Sequence, residues 1–235
     1  DNNLVQLHDL KIPNQKVPMH TKEERARLQK AFGYTYEDLK TSILPMALNG
    51  SESIGAMGID TPLAVLSNKH QPLFNYFKQL FAQVTNPPID SIREKVVTST
   101  TVYLGTDGNV LEEKAENCKQ LKINDPILTN TDLLKIKNMK VDGFKVETIP
   151  IIYYKNTSLE KAIDHLFVEV DRAHREGANI IILSDRGVDE NHVAIPSLLA
   201  VSALQQYLVQ TKKRTAMAVI LESGEPRDVH HFATL

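Results

Sequence analysis

Residues 179–187 read NIIILSDRG, and this stretch decides how the second half of the chain folds. The unbroken apolar run that ends at Leu183 is typical of a strand buried on both faces, as in parallel sheets. The polar residues Ser184, Asp185 and Arg186 follow it directly. We therefore predict a buried parallel strand whose carboxyl end carries polar side chains.

Elements on either side of this strand repeat at regular spacing. β-Branched and aromatic residues over 146–154 predict a strand, and so does the apolar stretch 216–222. Apolar residues recur at helical spacing within 157–176, which predicts a helix, and a second helix is predicted over 196–210. The order strand, helix, strand, helix, strand predicts right-handed βαβ units and a parallel sheet.

The ends of the two predicted helices carry local signals. Thr157-Ser158-Leu159-Glu160 has the pattern of a capping box, in which a hydroxyl and a carboxylate bind the free amides of the first turn. Gly177 is a suitable C-terminal stop, and Pro196 suits the first turn of the second helix. These signals support helices at both positions.

The first half of the chain is less regular and reads as long irregular excursions around one or two strands. A capping box at Thr21 and Glu24 predicts a helix that ends near Gly33. The other predicted elements of this half are helices at 36–48, 73–84 and 130–137 and a strand at 96–104. The predicted fold class is α/β, with parallel strands in the second half.

The loop Thr85-Asn86-Pro87-Pro88 is the most unusual feature of the first half. Two adjacent prolines fix two φ angles and remove two backbone donors, so the loop is stiff. It contains no nucleophile with a base, no histidine and no cysteine. Two interpretations stay open: a rigid functional surface, or a simple stop for the predicted helix 73–84.

Composition excludes several classes of function. The 235 residues include 27 basic and 29 acidic ones without a basic block, which argues against nucleic acid and anionic membranes as partners. The apolar runs are too short to span a bilayer. Cys118 is the only cysteine, which excludes an internal disulfide and an all-cysteine metal site, and is consistent with a cytoplasmic protein.

The ends of the predicted parallel strands give the best candidate site. Ligands of α/β enzymes bind at this edge, where Ser184, Asp185, Arg186 and Glu222 would meet. Asp185 and Glu222 could form a carboxylate pair for acid–base chemistry. Salt bridges to Arg186 or Arg227 explain the same carboxylates equally well, and strand ends also need turn and capping residues.

Other candidate motifs are weak. Gly50, Gly55 and Gly58 match neither phosphate-binding pattern, and neither Ser184 nor Ser223 lies in a nucleophile elbow. The adjacent histidines 230 and 231 lack metal-binding spacing. We therefore predict no catalytic, cofactor-binding or metal-binding residue in this chain.

Several long segments together resemble one family, the central domain of the glutamate synthase large subunit. These segments are AFGYTYEDLK (31–40), ILPMALNGSESIGAMGIDTPLAVLS (43–67), NYFKQLFAQVTNPPIDSIREKVV (75–97), PILTNTDLLKI (126–136), ILSDRGVDENHVAIPSLLAVSAL (182–204) and ESGEPRDVHHFA (222–233). The resemblance covers nearly the whole chain from Ala31 onward.

The resemblance implies a degenerate β/α barrel-like domain with a connecting role. In such enzymes an amidotransferase domain releases ammonia from glutamine, and a flavin domain with FMN and an iron–sulfur cluster forms glutamate from 2-oxoglutarate. The central domain lies between the two and helps to form the ammonia tunnel. Electrons come from a partner subunit or from ferredoxin.

The resemblance implies that residues 1–20 of this chain are a linker that follows an amidotransferase domain. It implies that residues 21–235 are a central domain truncated at its C-terminus. The N-terminal nucleophilic cysteine and the cluster ligands of the family are absent. The fragment alone is therefore expected to be inactive. By resemblance, Thr85, Asn86, Pro87 and Pro88 are expected to lie in the wall of the ammonia tunnel, near its entrance.

Overall fold

A computed structural model of the chain describes residues 3–56, 58–84 and 87–235. Thr85 and Asn86, two of the four predicted tunnel residues, lie outside the described residues. The strands are β1 (Val5–Gln6), β2 (Val102–Leu104), β3 (Leu121–Ile123), β4 (Val146–Pro150), β5 (Ile152–Tyr154), β6 (Ile180–Ser184), β7 (His192–Ala194) and β8 (Ala218–Glu222). The helices are α1 (Lys22–Ala31), α2 (Leu44–Asn49), α3 (Glu94–Val97), α4 (Asn130–Lys137), α5 (Leu159–Arg175), α6 (Ser197–Gln210) and α7 (Val229–Thr234).

The centre of the fold is a parallel sheet in the order β4-β6-β8. Every residue of β6 is buried, as its continuous apolar run predicted. Ile181 and Leu183 face a core formed with α5 and α6. Ile180 and Ile182 face a second core, shared with α4 and with the small sheet β1-β3-β2. Because successive side chains of a strand point to opposite faces of the sheet, β6 contributes to both cores.

The predicted strand over 146–154 is wrong in one respect, because it splits at Ile151. The amide of Ile151 donates to the carbonyl of Ser184 (2.8 Å), while its carbonyl accepts from the amide of Ile195 (2.8 Å). The chain then leaves the parallel sheet, and β5 pairs antiparallel with β7. The parallel α/β class is confirmed. The sheet is open at β4 and β8, and no closed barrel is found among the described residues.

Helices of the second half begin and end close to the predicted positions. The N-cap of α5 is Ser158, whose hydroxyl accepts from the amide of Lys161 (3.4 Å). The predicted box between Thr157 and Glu160 does not form, because the helix begins one residue later and places Glu160 at its second position. Gly177 follows α5 with φ +89°, a backbone conformation that favours glycine.

The first half confirms some predictions and corrects others. The capping box at Thr21 and Glu24 is present, and α4 has the predicted bounds. The predicted helix 36–48 is divided into a π-helical turn, Asp38–Ile43, and α2, with Pro45 in the first turn of α2. The predicted strand 96–104 begins only at Val102, because residues 94–97 form the short helix α3.

The predicted helix Leu73–Val84 is wrong. Only a 3₁₀ turn, Leu73–Phe77, forms, and the chain beyond it is irregular. Phe74 is buried, but Phe81 and Val84 are 68% and 72% exposed, so the later part of the apolar stripe has no core to pack against. Helices in proteins depend mainly on such packing.

Candidate functional site at the strand ends

The parallel sheet brings the predicted strand-end residues together, as the sequence indicated. Ser184 ends β6 and Glu222 ends β8, and the two residues are direct neighbours in the register. The Ser184 hydroxyl donates to Glu222 Oε2 (2.8 Å), and Arg186 Nε donates to Glu222 Oε1 (2.5 Å). Glu222 is therefore the centre of a hydrogen-bonded cluster.

A third donor to this cluster was missed in the sequence. Lys137, the last residue of α4, donates from Nζ to Glu222 Oε2 (2.8 Å). The basic residues at the end of α4 were visible in the sequence, but nothing local indicated that α4 points toward β8. Burial of the Glu222 carboxyl raises its pKa, but the hydrogen bonds from Arg186, Lys137 and Ser184 outweigh burial and hold the pKa below its ordinary value.

Asp185 has the opposite electrostatic environment. Its side chain is buried and accepts from the Ser223 hydroxyl (2.5 Å) and from the Gly224 amide (3.1 Å). Burial raises the pKa of this carboxyl, and the nearby charges of Glu225 and Glu222 act in the same direction. The two neighbouring carboxylates thus differ: Glu222 is held ionised, whereas ionisation of Asp185 is disfavoured.

This arrangement favours salt bridges and capping, rather than acid–base chemistry, as the role of Asp185 and Glu222. The predicted salt bridge of Arg186 to one of these carboxylates is present, with Glu222 as its partner. Arg227 pairs with Asp38 instead (3.1 Å), so its predicted role at these carboxylates is wrong. Within the described ranges, both serine hydroxyls donate to carboxylates, and neither is bonded to a histidine. No nucleophile–base pair forms there.

A groove of about 1010 Å³ lies beside the cluster and along the free edge of β8. Its lining near the strand ends includes Tyr34, Asp185, Arg186 and Glu222, and apolar residues such as Leu221 continue it. The described part of the chain contains no group of three or more histidine, cysteine, aspartate or glutamate side chains that could hold a metal ion. The groove is polar at one end and apolar along β8.

The described half of the proline loop lies apart from this groove. Pro87 and Pro88 are exposed, and residues 78–84, between them and the 3₁₀ turn that ends at Phe77, form no helix. The prolines therefore do not end a helix, which removes the simpler interpretation of the loop. Ile92, close by in the chain, is 88% exposed.

A buried polar cluster that sequence reasoning missed fastens the first half of the chain to the loop after β8. Arg227 Nη2 donates to the carbonyl of Phe32 (2.7 Å), and its Nε donates to the carbonyl of Glu225 (3.0 Å). Glu225 in turn accepts from the amide and hydroxyl of Ser197, at the start of α6 (2.7 and 2.6 Å). Charged residues in the sequence run 222–228 gave no sign of this burial.

The geometry defines the class of protein: an α/β domain with an open parallel sheet, ion-paired strand ends and a long irregular segment. Residues 27–235 match the family described as glutamate synthase central domain. The chain belongs to this family. Among the described residues, no helix is long and apolar enough to cross a membrane.

Full-length relatives are much longer than this chain. It is 46% identical to the large chain of an NADPH glutamate synthase from Bacillus subtilis over 207 residues, which cover 88% of this chain and 14% of that protein. Identity is 43% to the NADH glutamate synthase of Schizosaccharomyces pombe, with 87% and 10% covered, and 42% to ferredoxin-dependent glutamate synthase 2 of Synechocystis, with 88% and 14% covered. The chain thus spans about one seventh or less of these relatives.

Proposed function

We propose that this chain is the structural and channelling module of a glutamate synthase. It connects an amidotransferase domain, which releases ammonia from glutamine, to an FMN domain, where glutamate forms from 2-oxoglutarate. The family match supports the parent enzyme. In this proposal the oxidoreductase activity belongs to the parent chain, and the chain described here contributes no catalytic residue.

The observation that carries the channelling role is the exposed double proline. Pro87 and Pro88 stiffen a loop that ends no helix, so their rigidity serves something other than helix termination. A passage for a small neutral molecule needs a wall of constant shape. Thr85 and Asn86 complete this wall in the proposal, because their hydroxyl and amide groups offer weak polar partners to ammonia.

Exposed apolar residues in the same segment support contact with neighbouring domains. Val65, Leu66, Phe81 and Ile92 are each more than 60% exposed. Where exposed apolar residues form a contiguous patch, they mark a site of contact with other protein. In this proposal the surface is covered by the amidotransferase and FMN domains of the parent enzyme.

The iron–sulfur cluster of the proposed parent does not fit the residues of this chain. An iron–sulfur cluster takes several cysteine thiolates, and Cys118 is the only cysteine here. We assign both FMN and the cluster to other parts of the parent. Electrons reach that parent from a partner subunit or from ferredoxin. A cytoplasmic setting remains a prediction from cysteine usage.

An independent enzyme or a partner-binding module at the strand ends is the alternative. The donors around Glu222 argue against an enzyme there, since they already occupy both of its oxygens. The purified chain distinguishes these functions. Flavin absorbance, or turnover of glutamine and 2-oxoglutarate by this chain alone, would contradict the proposal.

The decisive experiment replaces Pro87 and Pro88 with glycine in a full-length glutamate synthase that contains this chain. A loosened wall lets ammonia escape, so we expect glutamine hydrolysis to exceed glutamate formation. Activity with added ammonium should fall much less than activity with glutamine. Pro18→Gly, at another exposed proline, serves as the matched control.

Thermal stability is measured on the same samples. A folding defect lowers both activities together and does not change the ratio of glutamate formed to glutamine consumed. If this ratio stays at the wild-type value in a stable double variant, the loop has no channelling role and the proposal fails.

A further inference from the structure

Few side chains are buried in the described part of residues 51–100. In the described part of this segment, only Pro72 and Phe74 are buried. Phe74 is completely inaccessible, whereas Phe77 and Phe81 in the same segment are 57% and 68% exposed. Phe74 is therefore the one large hydrophobic side chain that is fully buried in the described part of this segment.

The Phe74 ring packs against a histidine. Its ring stacks on that of His231, with 4.5 Å between the ring centres and an angle of 20° between the planes. His230 Nε2 lies 3.3 Å from the carbonyl oxygen of Phe74. The turn Leu73–Phe77 also packs against α6 and α7. The contact thus joins the irregular segment to the loop and helix that follow β8.

The hydrogen bonds of His231 require a neutral ring. Its Nδ1 accepts from the backbone amide of Arg227 (3.2 Å), and an amide N–H can only donate. The proton of the neutral ring is therefore on Nε2, which lies 3.5 Å from Asp228 Oδ2. The side chain is almost completely buried, so a proton added at Nδ1 would break the bond to Arg227 without a replacement from water.

The charges around His231 come from three elements. Asp228 and Arg227 lie in the loop before α7, His230 lies on α7, and Asp38 lies in the π-helical turn. The turn Leu73–Phe77 and α6 contain no charged residue. Burial lowers the pKa of His231, and the charges of Arg227 and His230 act in the same direction, against the opposing effect of Asp228 and Asp38.

We propose that Phe74 and His231 form a proton-sensitive anchor that positions residues 51–100 on the strand-end loop of β8. The segment is held while His231 is neutral and is released when the ring gains a second proton. The functional importance of this anchor rests on the proposed channelling role, because Pro87 and Pro88 lie in the anchored segment. The anchor itself stands on the geometry alone.

The first test compares two phenylalanines of the same segment in the purified chain. Phe74→Ala should lower the hydrogen-exchange protection of a peptide covering 71–79 by on the order of tenfold, because the turn loses its buried contact. Phe81→Ala, at an exposed position, should leave this protection unchanged. A peptide covering 159–184 reports on the core and should not change in either variant.

The second test changes pH. Protection factors of the 71–79 peptide, corrected for intrinsic exchange, should fall several-fold between about pH 7.5 and about pH 5 in the wild type. His231→Phe keeps a ring that stacks on Phe74 but cannot be protonated, so its protection should not depend on pH in this range. His165→Phe, at a histidine that is 75% exposed, should behave as the wild type does.

Two results would overturn the anchor. Equal effects of Phe74→Ala and Phe81→Ala would show that Phe74 does not hold the segment. A pH response that persists in His231→Phe would show that His231 is not the sensor. A third measurement separates the two proposals: if Phe74→Ala loosens the segment but a full-length glutamate synthase keeps its ratio of glutamate to consumed glutamine, the anchor stands and the channelling role fails.

Discussion

The guanidinium carbon of Arg227 lies 3.8 Å from the centre of the Tyr34 ring. The Tyr34 hydroxyl donates to the carbonyl of Gly224 (2.8 Å), on the same loop as the arginine. The two residues come from opposite halves of the chain, so their contact fastens the turn after α1 to the loop that follows β8. The planar guanidinium lies on the face of the aromatic ring while its N–H groups donate hydrogen bonds. The contact therefore requires one specific geometry.

Arg227→Lys should destabilise the protein although the charge is retained. A lysine ammonium cannot reach Asp38 and the carbonyls of Phe32 and Glu225 in the same geometry, which leaves buried acceptors unpaired. We expect a loss of about 1–3 kcal/mol in the free energy of unfolding. Urea denaturation measures it, with Arg27→Lys on the exposed face of α1 as the control. An equal, small effect of both changes would contradict this role.

Glu222→Gln should weaken the strand-end cluster and change its dependence on pH. The pKa of Glu222 is lower in the folded state than in the unfolded state, so the carboxylate stabilises the fold above its unfolded pKa of about 4.5. This stabilisation is lost as pH falls through the folded pKa. We expect the variant to lose about 1–3 kcal/mol near neutral pH and less in acid.

The measurement for Glu222 is the free energy of unfolding at a series of pH values. Glu160→Gln, at an exposed position in the first turn of α5, is the control for a change of net charge. If wild type and Glu222→Gln differ by the same amount at every pH down to full protonation, the carboxylate is not the source of the stabilisation.

Gly224→Ala should strain the contact between the first half of the chain and the loop that follows β8. A Cβ atom at this position would lie 2.9 Å from Cε2 of the Phe32 ring, closer than real contacts. The Phe32 ring must shift to admit this atom, and we expect a cost of about 1–3 kcal/mol from overpacking. Gly55→Ala is the matched control, since nothing lies within 4 Å of its added Cβ. A thermal melt in which both variants keep the wild-type Tm would contradict this expectation.

Ser158→Ala should shorten or fray the start of α5. The serine hydroxyl is the N-cap, and its loss leaves the Lys161 amide without its side-chain acceptor. We expect a loss of about 1 kcal/mol. Thr157→Ala distinguishes the observed cap from the box predicted by the sequence, because the hydroxyl of Thr157 does not cap the helix. The reverse order of the two effects, measured by urea denaturation, would favour the predicted box.

The parallel sheet could be predicted because each of its elements carries its own signal. The apolar run of β6 and the helical periodicity of α5 depend only on the face that each element buries. The strand ends met as predicted for the same reason, since parallel strands place their carboxyl ends on one edge. Lys137 was missed because its contact with Glu222 depends on the packing angle of α4.

Predictions failed where long-range contacts decide the conformation. The stripe over 73–84 has helical spacing, but only Phe74 finds a core, so most of the segment stays irregular. The break at Ile151 depends on Ser184 and Ile195, which are distant in sequence. The short strands β1 and β3 were also missed, because two or three residues carry too little periodicity to be recognised.

The small buried surface of residues 51–100 has a calorimetric consequence. The heat-capacity increment of unfolding follows the apolar area that becomes newly hydrated, and the described part of this segment buries little besides Pro72 and Phe74. Its release should therefore add almost nothing to the measured increment, whereas melting of β6 with α5 and α6 supplies most of it. An average of the increment over all 235 residues will therefore be smaller than the increment per residue of the sheet and its two helices.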